Sequence, residues 1–357
     1  MSYRPSALGL GLTLSLAVTV AAQEAKPKVA AEPQASAVSS KSADKKRNSV
    51  AAKVKADEQK AMALSLLVSL ATDARSFPDQ TLRARTFARI ADALWEPDPD
   101  QGRTLFRRAW DAATVADQES ARRMEEERKK QQSERGSFAI TRGPDLRAEV
   151  LRLAARRDRA LGEELLEKMT EAKKQEAQEA TSAQRNQPLD TPEAQRQRLR
   201  LAGQLLEADV ELALQFAEPA LTNVTMDGLH FLSLLREKNP QAADLRYARL
   251  LAITQTDLQA DANTVSLLTS YLFTPFLFIT FEPGGGQNAS QMRARSGPPD
   301  VSPELRGTFF QTAARVLLRP SSSREQDQTS AGLQGKYLII RRLMPLFEQH
   351  AAKEIVE

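Results

Sequence analysis

The sequence predicts an all-α fold, an irregular α-solenoid of stacked helical hairpins carrying long charged or flexible insertions. Three observations lead there. Ala, Leu, Arg, Gln and Glu dominate the 357 residues, and Ala together with the unbranched, long side chains loses little freedom in a helix. From Asp57 onward apolar residues recur at three- and four-residue spacing, and no strand-like alternation interrupts them before Leu251. Short turns containing Pro or Asp divide these amphipathic segments into pairs.

The chain opens on "MSYRPSALGLGLTLSLAVTVAA", which has the three parts of a secretory signal at residues 1–22. Arg4 is its basic region, Ala7 to Val20 its apolar core, and Val20-Ala21-Ala22 its small-residue processing site. The apolar run is short for a membrane span. Residues 23–56, rich in Lys, Ala, Ser and Pro, hold almost no large apolar side chain and read as a disordered tether.

The helical-hairpin stack is expected over residues 57–281. Ala61, Leu64, Leu67, Val68 and Ala71 share a helical face, and "SFPD" ends that helix. Ala84, Phe87, Ala88, Ala91, Leu94 and Trp95 form the next face, which stops at "EPDPD" because Pro97 and Pro99 disfavour helix in the residues before them. Leu105, Phe106, Ala109 and Trp110 follow on the second arm of this hairpin. Later hairpins turn near Asp158, Asp209 and "KNP", where Asn239 is a suitable N-cap and Pro240 a suitable first helical residue. Between them, "ADQESARRMEEERKKQQSERGS" extends a helix as a charged arm, and "EAKKQEAQEATSAQRNQPLD" frays before a new helix capped by Thr191. Residues 282–304 read as a flexible Gly/Pro loop. Residues 305–357 read as C-terminal helices, the first started by Ser302-Pro303 and the last bent at Pro345.

Several second helices carry a small residue, then an aromatic or large one four positions later. Gly102-x3-Phe106-x2-Ala109 shows the full pattern; Ala243-x3-Tyr247-x2-Leu250 and Leu212-x3-Phe216-x2-Pro219 show part, and Leu161-x3-Leu165 a looser form. In this they resemble tetratricopeptide-like repeats, where the small residue admits a neighbouring helix and the large one fills the gap between hairpins. The layout, including "ADANTVSLLTSYLFTP", also resembles uncharacterised exported bacterial proteins of acidobacterial type. The resemblance implies a superhelical stack and brings no activity with it.

Composition narrows the chemistry. With no Cys there are no disulfides, thiolate ligands or cysteine nucleophiles. The net charge of +4 falls by one when the leader, whose one charged residue is Arg4, is removed. Acidic and basic residues alternate, as in "RRMEEERKK", which argues for solvated helix faces and against a nucleic-acid patch. Of the two histidines, His230 is expected to pack beside an apolar face and His350 to be solvated. Gly284-Gly285-Gly286 lacks the G-K-[ST] of a phosphate loop. Asp98 and Asp100 suit a helix start better than a calcium loop. Glu207, Asp209 and Glu211 form the one carboxylate cluster with a spacing worth testing for glycoside chemistry, although a hairpin turn exposes them. Trp95 and Trp110 are expected as core anchors. Asn223-Val-Thr225 and Asn288-Ala-Ser290 are glycosylation sequons.

The most apolar segment after the leader is "TVSLLTSYLFTPFLFITF". Its Thr and Ser content and Pro275 argue against a span. It reads as a buried helix, a proline break, and a short extended segment packed against that helix. These readings point to an exported helical-repeat scaffold that binds a protein or peptide in the cell envelope, with no catalytic activity evident. No catalytic, cofactor, metal or partner-contacting residue stands out. Two alternatives stay open: an envelope enzyme of glycan-active hydrolase or lyase type on a helical body, and a structural envelope component.

Overall fold

The structure, a computed structural model, describes residues 39–134, 145–179, 191–282, 286–294, 297–320 and 326–357. The expected signal segment, the first part of the expected tether, Gly284 and Gly285 lie outside these residues. The chain divides into two compact units, residues 1–61 and 62–357.

Helix α1 covers Ser39–Asp73. Its start inside the segment expected as a tether follows from the Ala, Lys and Arg content there, which favours helix where no apolar face exists. α2 (Gln80–Leu94) and α3 (Pro99–Glu134) form the first hairpin, and α4 (Leu146–Arg157) with α5 (Arg159–Glu179) the second. α6 (Glu193–Leu205) pairs with α7 (Val210–Ala217), and α8 (Met226–Lys238) with α9 (Pro240–Thr256). α10 (Ala262–Phe273), α11 (Pro303–Leu317), α12 (Leu333–His350) and the short α13 (Lys353–Val356) complete the helices. The first helices α2, α4, α6, α8, α10 and α12 pack each on the next, while α3, α5, α7, α9 and α11 form a second layer. This is the stacked-hairpin architecture, and its core runs through the stack without a break.

A repeating start defines the second helices. Asp98, Asp158, Asp209 and Asn239 each accept a backbone N–H of the helix that follows, at 2.9, 2.9, 3.0 and 3.0 Å. Each cap satisfies an N–H that the helix itself leaves free. Four residues after each cap lies a small, buried residue: Gly102, Gly162, Ala213 or Ala243. The middle two sit one position later than the spacing from Leu161 and Leu212 suggested. A Cβ on Gly162 would come within 2.8 Å of Ala155 Cβ and 3.0 Å of Phe216 Cζ, so the helices meet there too closely for a side chain. At the start of α6 the cap also falls one residue later than expected. Pro192 occupies it, while the buried Thr191 hydroxyl has no partner.

The N-terminus of α4 is held from a distance. Asp117 on α3 accepts Leu146 N–H at 3.0 Å and Arg147 N–H at 3.1 Å, and also pairs with Arg147 Nε at 3.0 Å. Asp145 takes the next two N–H groups, one on its side chain and one on its carbonyl. The three free amides of the first turn, on Leu146, Arg147 and Ala148, are thereby bonded, and Glu149 N–H makes the first bond of the helix proper.

After α10 the chain departs from helix, as expected. Thr274-Pro275-Phe276-Leu277 turns sharply, with Leu277 N–H donating to Thr274 O at 3.0 Å. Phe276 sits at φ 67°, a conformation costly for a residue with a Cβ; burial of its ring to 2% exposure holds it there. Strand β1 (Leu277–Phe281) then pairs antiparallel with β2 (Gln287–Gln291), Leu277 opposite Gln291 and Phe281 opposite Gln287. The expectation of an open loop over residues 282–304 is corrected by β2. Its polar residues show no apolar alternation of their own and are ordered by pairing with β1. The free edge of β1 is sealed by helix side chains. Asn263 donates to Phe281 O at 2.9 Å and accepts Phe281 N–H at 2.6 Å, and Ser266 donates to Ile279 O at 2.6 Å. The polar residues of this apolar segment therefore serve as backbone partners for a strand. Among the described residues no helix is long and apolar enough to cross a membrane.

Candidate functional site

The end of α1 presents an uncovered apolar face. Leu64, Leu67 and Ala71 pack inward, whereas Met62, Leu66 and Leu70 stand 67%, 61% and 42% exposed. Val68 and Ala61, expected on the inner face, also point outward. The inner row follows 64, 67, 71 and on to the buried Ala74, leaving a second row at strict four-residue spacing on the outside. That second row was visible in the sequence, since 62, 66 and 70 fall on one helical face.

Beside the end of this helix, α2 and α3 enclose a groove of about 440 Å³. Phe87, Ala112 and Val115 give it an apolar surface, and Arg75, Arg83 and Arg108 face it together with Asp111. Arg83 donates to Phe77 O. Among the described residues Arg75 and Arg108 have no ion-pair partner within range, unlike Arg103 and Arg107 on the same hairpin, which pair with Asp158 and Glu164 at 2.8 Å each. Charge left unneutralised next to exposed apolar side chains suits a partner that is both acidic and apolar.

A second cleft, about 560 Å³, lies along α5 and α6 and is lined by Glu163, Glu164, Glu167 and Glu171 with Lys174 and Arg198. Its chemistry opposes acid catalysis. Arg198 grips both oxygens of Glu163 at 2.8 and 2.6 Å. Hydrogen bonds from Arg107 and then Lys168 hold the Glu164 carboxyl down to about 2. A general acid needs the opposite displacement.

The residues singled out in the sequence do not converge. Glu207 pairs with Lys238 at 2.8 Å, Asp209 caps α7, and neither lines a described cavity. Asp98 caps α3, and Asp100 bonds Arg103 at 3.0 Å. Trp110 is buried at 5% exposure, but Trp95 lies at the edge of the core with the Arg103 guanidinium 5.4 Å above its ring. His230 packs edge-on against Phe276 at 5.6 Å, and burial pushes its imidazole below the ordinary value. His350 is exposed, yet it stacks on Phe273 at 5.8 Å. Asn223 and Asn288 are both exposed. Among the described residues no group of three or more His, Asp or Glu side chains is arranged to hold a metal. Compared with family models, curated proteins and solved structures, the chain matches none of them.

Proposed function

We propose that the chain is an exported helical-hairpin scaffold that binds a protein partner in the cell envelope, and that the partner docks an acidic amphipathic segment on the N-terminal hairpin. The leader sequence supports export. The outer row of Met62, Leu66 and Leu70 carries the binding reading: a helix apolar on both sides is normally enclosed, and here one side is open. The unpaired Arg75 and Arg108 in the adjoining groove supply the chemistry of what covers it. An amphipathic helix with apolar residues every three or four positions and a carboxylate flank matches both features.

A photocrosslinking residue placed at Leu66, with another at the exposed Arg200 on α6 as control, tests this in the native envelope. The expected result is a discrete adduct from position 66 alone. A synthetic Glu/Leu amphipathic helix should displace it, its Lys/Leu counterpart should not, and Arg108→Glu should abolish it. Equal labelling from both positions, no adduct, or displacement by the basic peptide would overturn the proposal.

A further inference from the structure

A third cavity, about 660 Å³, lies far along the chain from the N-terminal hairpin, where α10, α11 and α12 meet. Leu272, Phe273 and Leu346 form apolar walls, and Arg342 and Arg306 face the space. Pro298, Pro299 and the exposed Asp300 close one side; the Asp300 carbonyl is already taken by Arg236.

Arg342 is the unusual group. Its guanidinium is half-buried, and its one partner among the described residues is the Ser266 hydroxyl at 2.8 Å. No carboxylate among the described residues comes within ion-pair range. Arg147, Arg198 and Arg246 are also wholly or partly buried, and each is paired with an Asp or Glu at 3.0 Å or less. Ser266 accepts the Arg342 bond while its own proton goes to Ile279 O, so it offers the Arg342 charge only a neutral hydroxyl dipole. Burial without compensation pushes the Arg342 guanidinium below its ordinary value. A desolvated cation with most of its five N–H donors free is unfavourable in the empty protein. Arg306 likewise has no side-chain partner among the described residues, so two guanidinium groups face one cavity, which Thr269, Thr274, Asp300, Gln349 and His350 line together with the apolar side chains.

We infer that this cavity binds an amphipathic carboxylate, its head group on Arg342 and Arg306 and its apolar body against Leu272, Phe273 and Leu346. A forked guanidinium matches the two oxygens of a carboxylate, and a cavity of this size encloses a small ligand. The same chemistry is offered by a free medium-chain fatty acid and by the C-terminus of an apolar peptide. The inference does not depend on the N-terminal surface.

The test uses calorimetry and thermal melting of the full chain with octanoate, acetyl-Leu-Leu as free acid, its C-terminal amide, and inorganic phosphate. One or both carboxylates should bind, and which of them binds identifies the source. The amide and phosphate should bind at least about tenfold more weakly, the loss expected for a charge-assisted hydrogen bond in an enclosed site. Arg342→Met should weaken carboxylate binding about tenfold to a hundredfold while raising the melting temperature of the ligand-free protein, since it removes an uncompensated charge and keeps the volume. A merely structural arginine would give the reverse, a lower melting temperature. That outcome, equal binding of acid and amide, phosphate as tight as octanoate, or no binding of either carboxylate at millimolar concentration overturns the assignment.

Discussion

Replacing Asp117 by Ala should be among the most damaging single changes in the second hairpin. The carboxylate is 10% exposed and faces an Arg147 side chain that is 6% exposed, so both charges have left water. Removing one partner of such a pair costs about 3–5 kcal/mol, because the other charge stays buried. Two further losses accompany it: the N–H groups of Leu146 and Arg147 at the start of α4 lose their acceptor, worth about 0.5–2 kcal/mol for a helix cap. Against this, Glu176 still holds Arg147 at 3.0 Å, although it is half in solvent. These contributions share one carboxylate and overlap, so the expected total is about 3–4 kcal/mol. At about 2 °C per kcal/mol for a chain of this length, the melting temperature should fall by about 6–8 °C. Circular dichroism at 222 nm during heating and in urea reads both. Asp117→Asn, which keeps one acceptor oxygen, should fall between wild type and Ala. The double variant Asp117→Ala/Arg147→Met should recover most of the loss, because no charge is then stranded. A single-variant loss below about 1 kcal/mol, or a double variant worse than either single one, would refute the pair as the anchor of α4.

Three other expectations follow from named contacts. Trp110→Ala should lower stability by about 3–5 kcal/mol in urea titration, since the ring is core; an unchanged midpoint would place it outside. Gly162→Ala should destabilise by about 1–2 kcal/mol: helix propensity gains about 1, but the new Cβ lies 2.9 Å from Ala155 Cα, and backbone cannot yield as a side chain does. A rise in melting temperature would contradict that close approach. The Glu164 carboxyl is held at about 2, well below its ordinary 4.5, so its stabilising effect is complete above about pH 4.5 and fades as pH falls toward 2. Melting temperatures of wild type and Glu164→Gln should therefore converge as pH is lowered through that window, whereas parallel curves would show that the pairs with Arg107 and Lys168 contribute nothing.

Much of the fold was legible because its cues are short-range. Asn239-Pro240 and Ser302-Pro303 each start a helix where expected, and Pro275 ends one. The β-branched and aromatic "LFITF" is a strand packed on α10. Readings failed where the deciding neighbour is distant. The phase of the second helices slipped by one at Gly162 and Ala213, since apolar residues flank both, and only the cap at Asp158 or Asp209 fixes the count. β2 went unseen because "QNASQ" has no apolar pattern and is ordered by its partner. Of the groups now placed at the N-terminal surface, Met62, Leu66 and Leu70 went unread although their four-residue spacing carried the signal. Arg75 and Arg108 carried none, because in a chain with 50 Lys and Arg an unpaired arginine looks like a paired one.

By itself, then, the sequence determined the all-α class, the order of the hairpins and most of their turns, because periodicity and capping act over three or four residues. Only tertiary structure decided that Asp117 caps a helix 29 residues on and that Asn263 grips the edge of a strand 18 residues away. It also decided which cations stand without a counter-charge among the described residues, Arg108 in the first hairpin and Arg342 among the last helices. Those facts depend on which helices stack across insertions of variable length, and no local pattern encodes that choice.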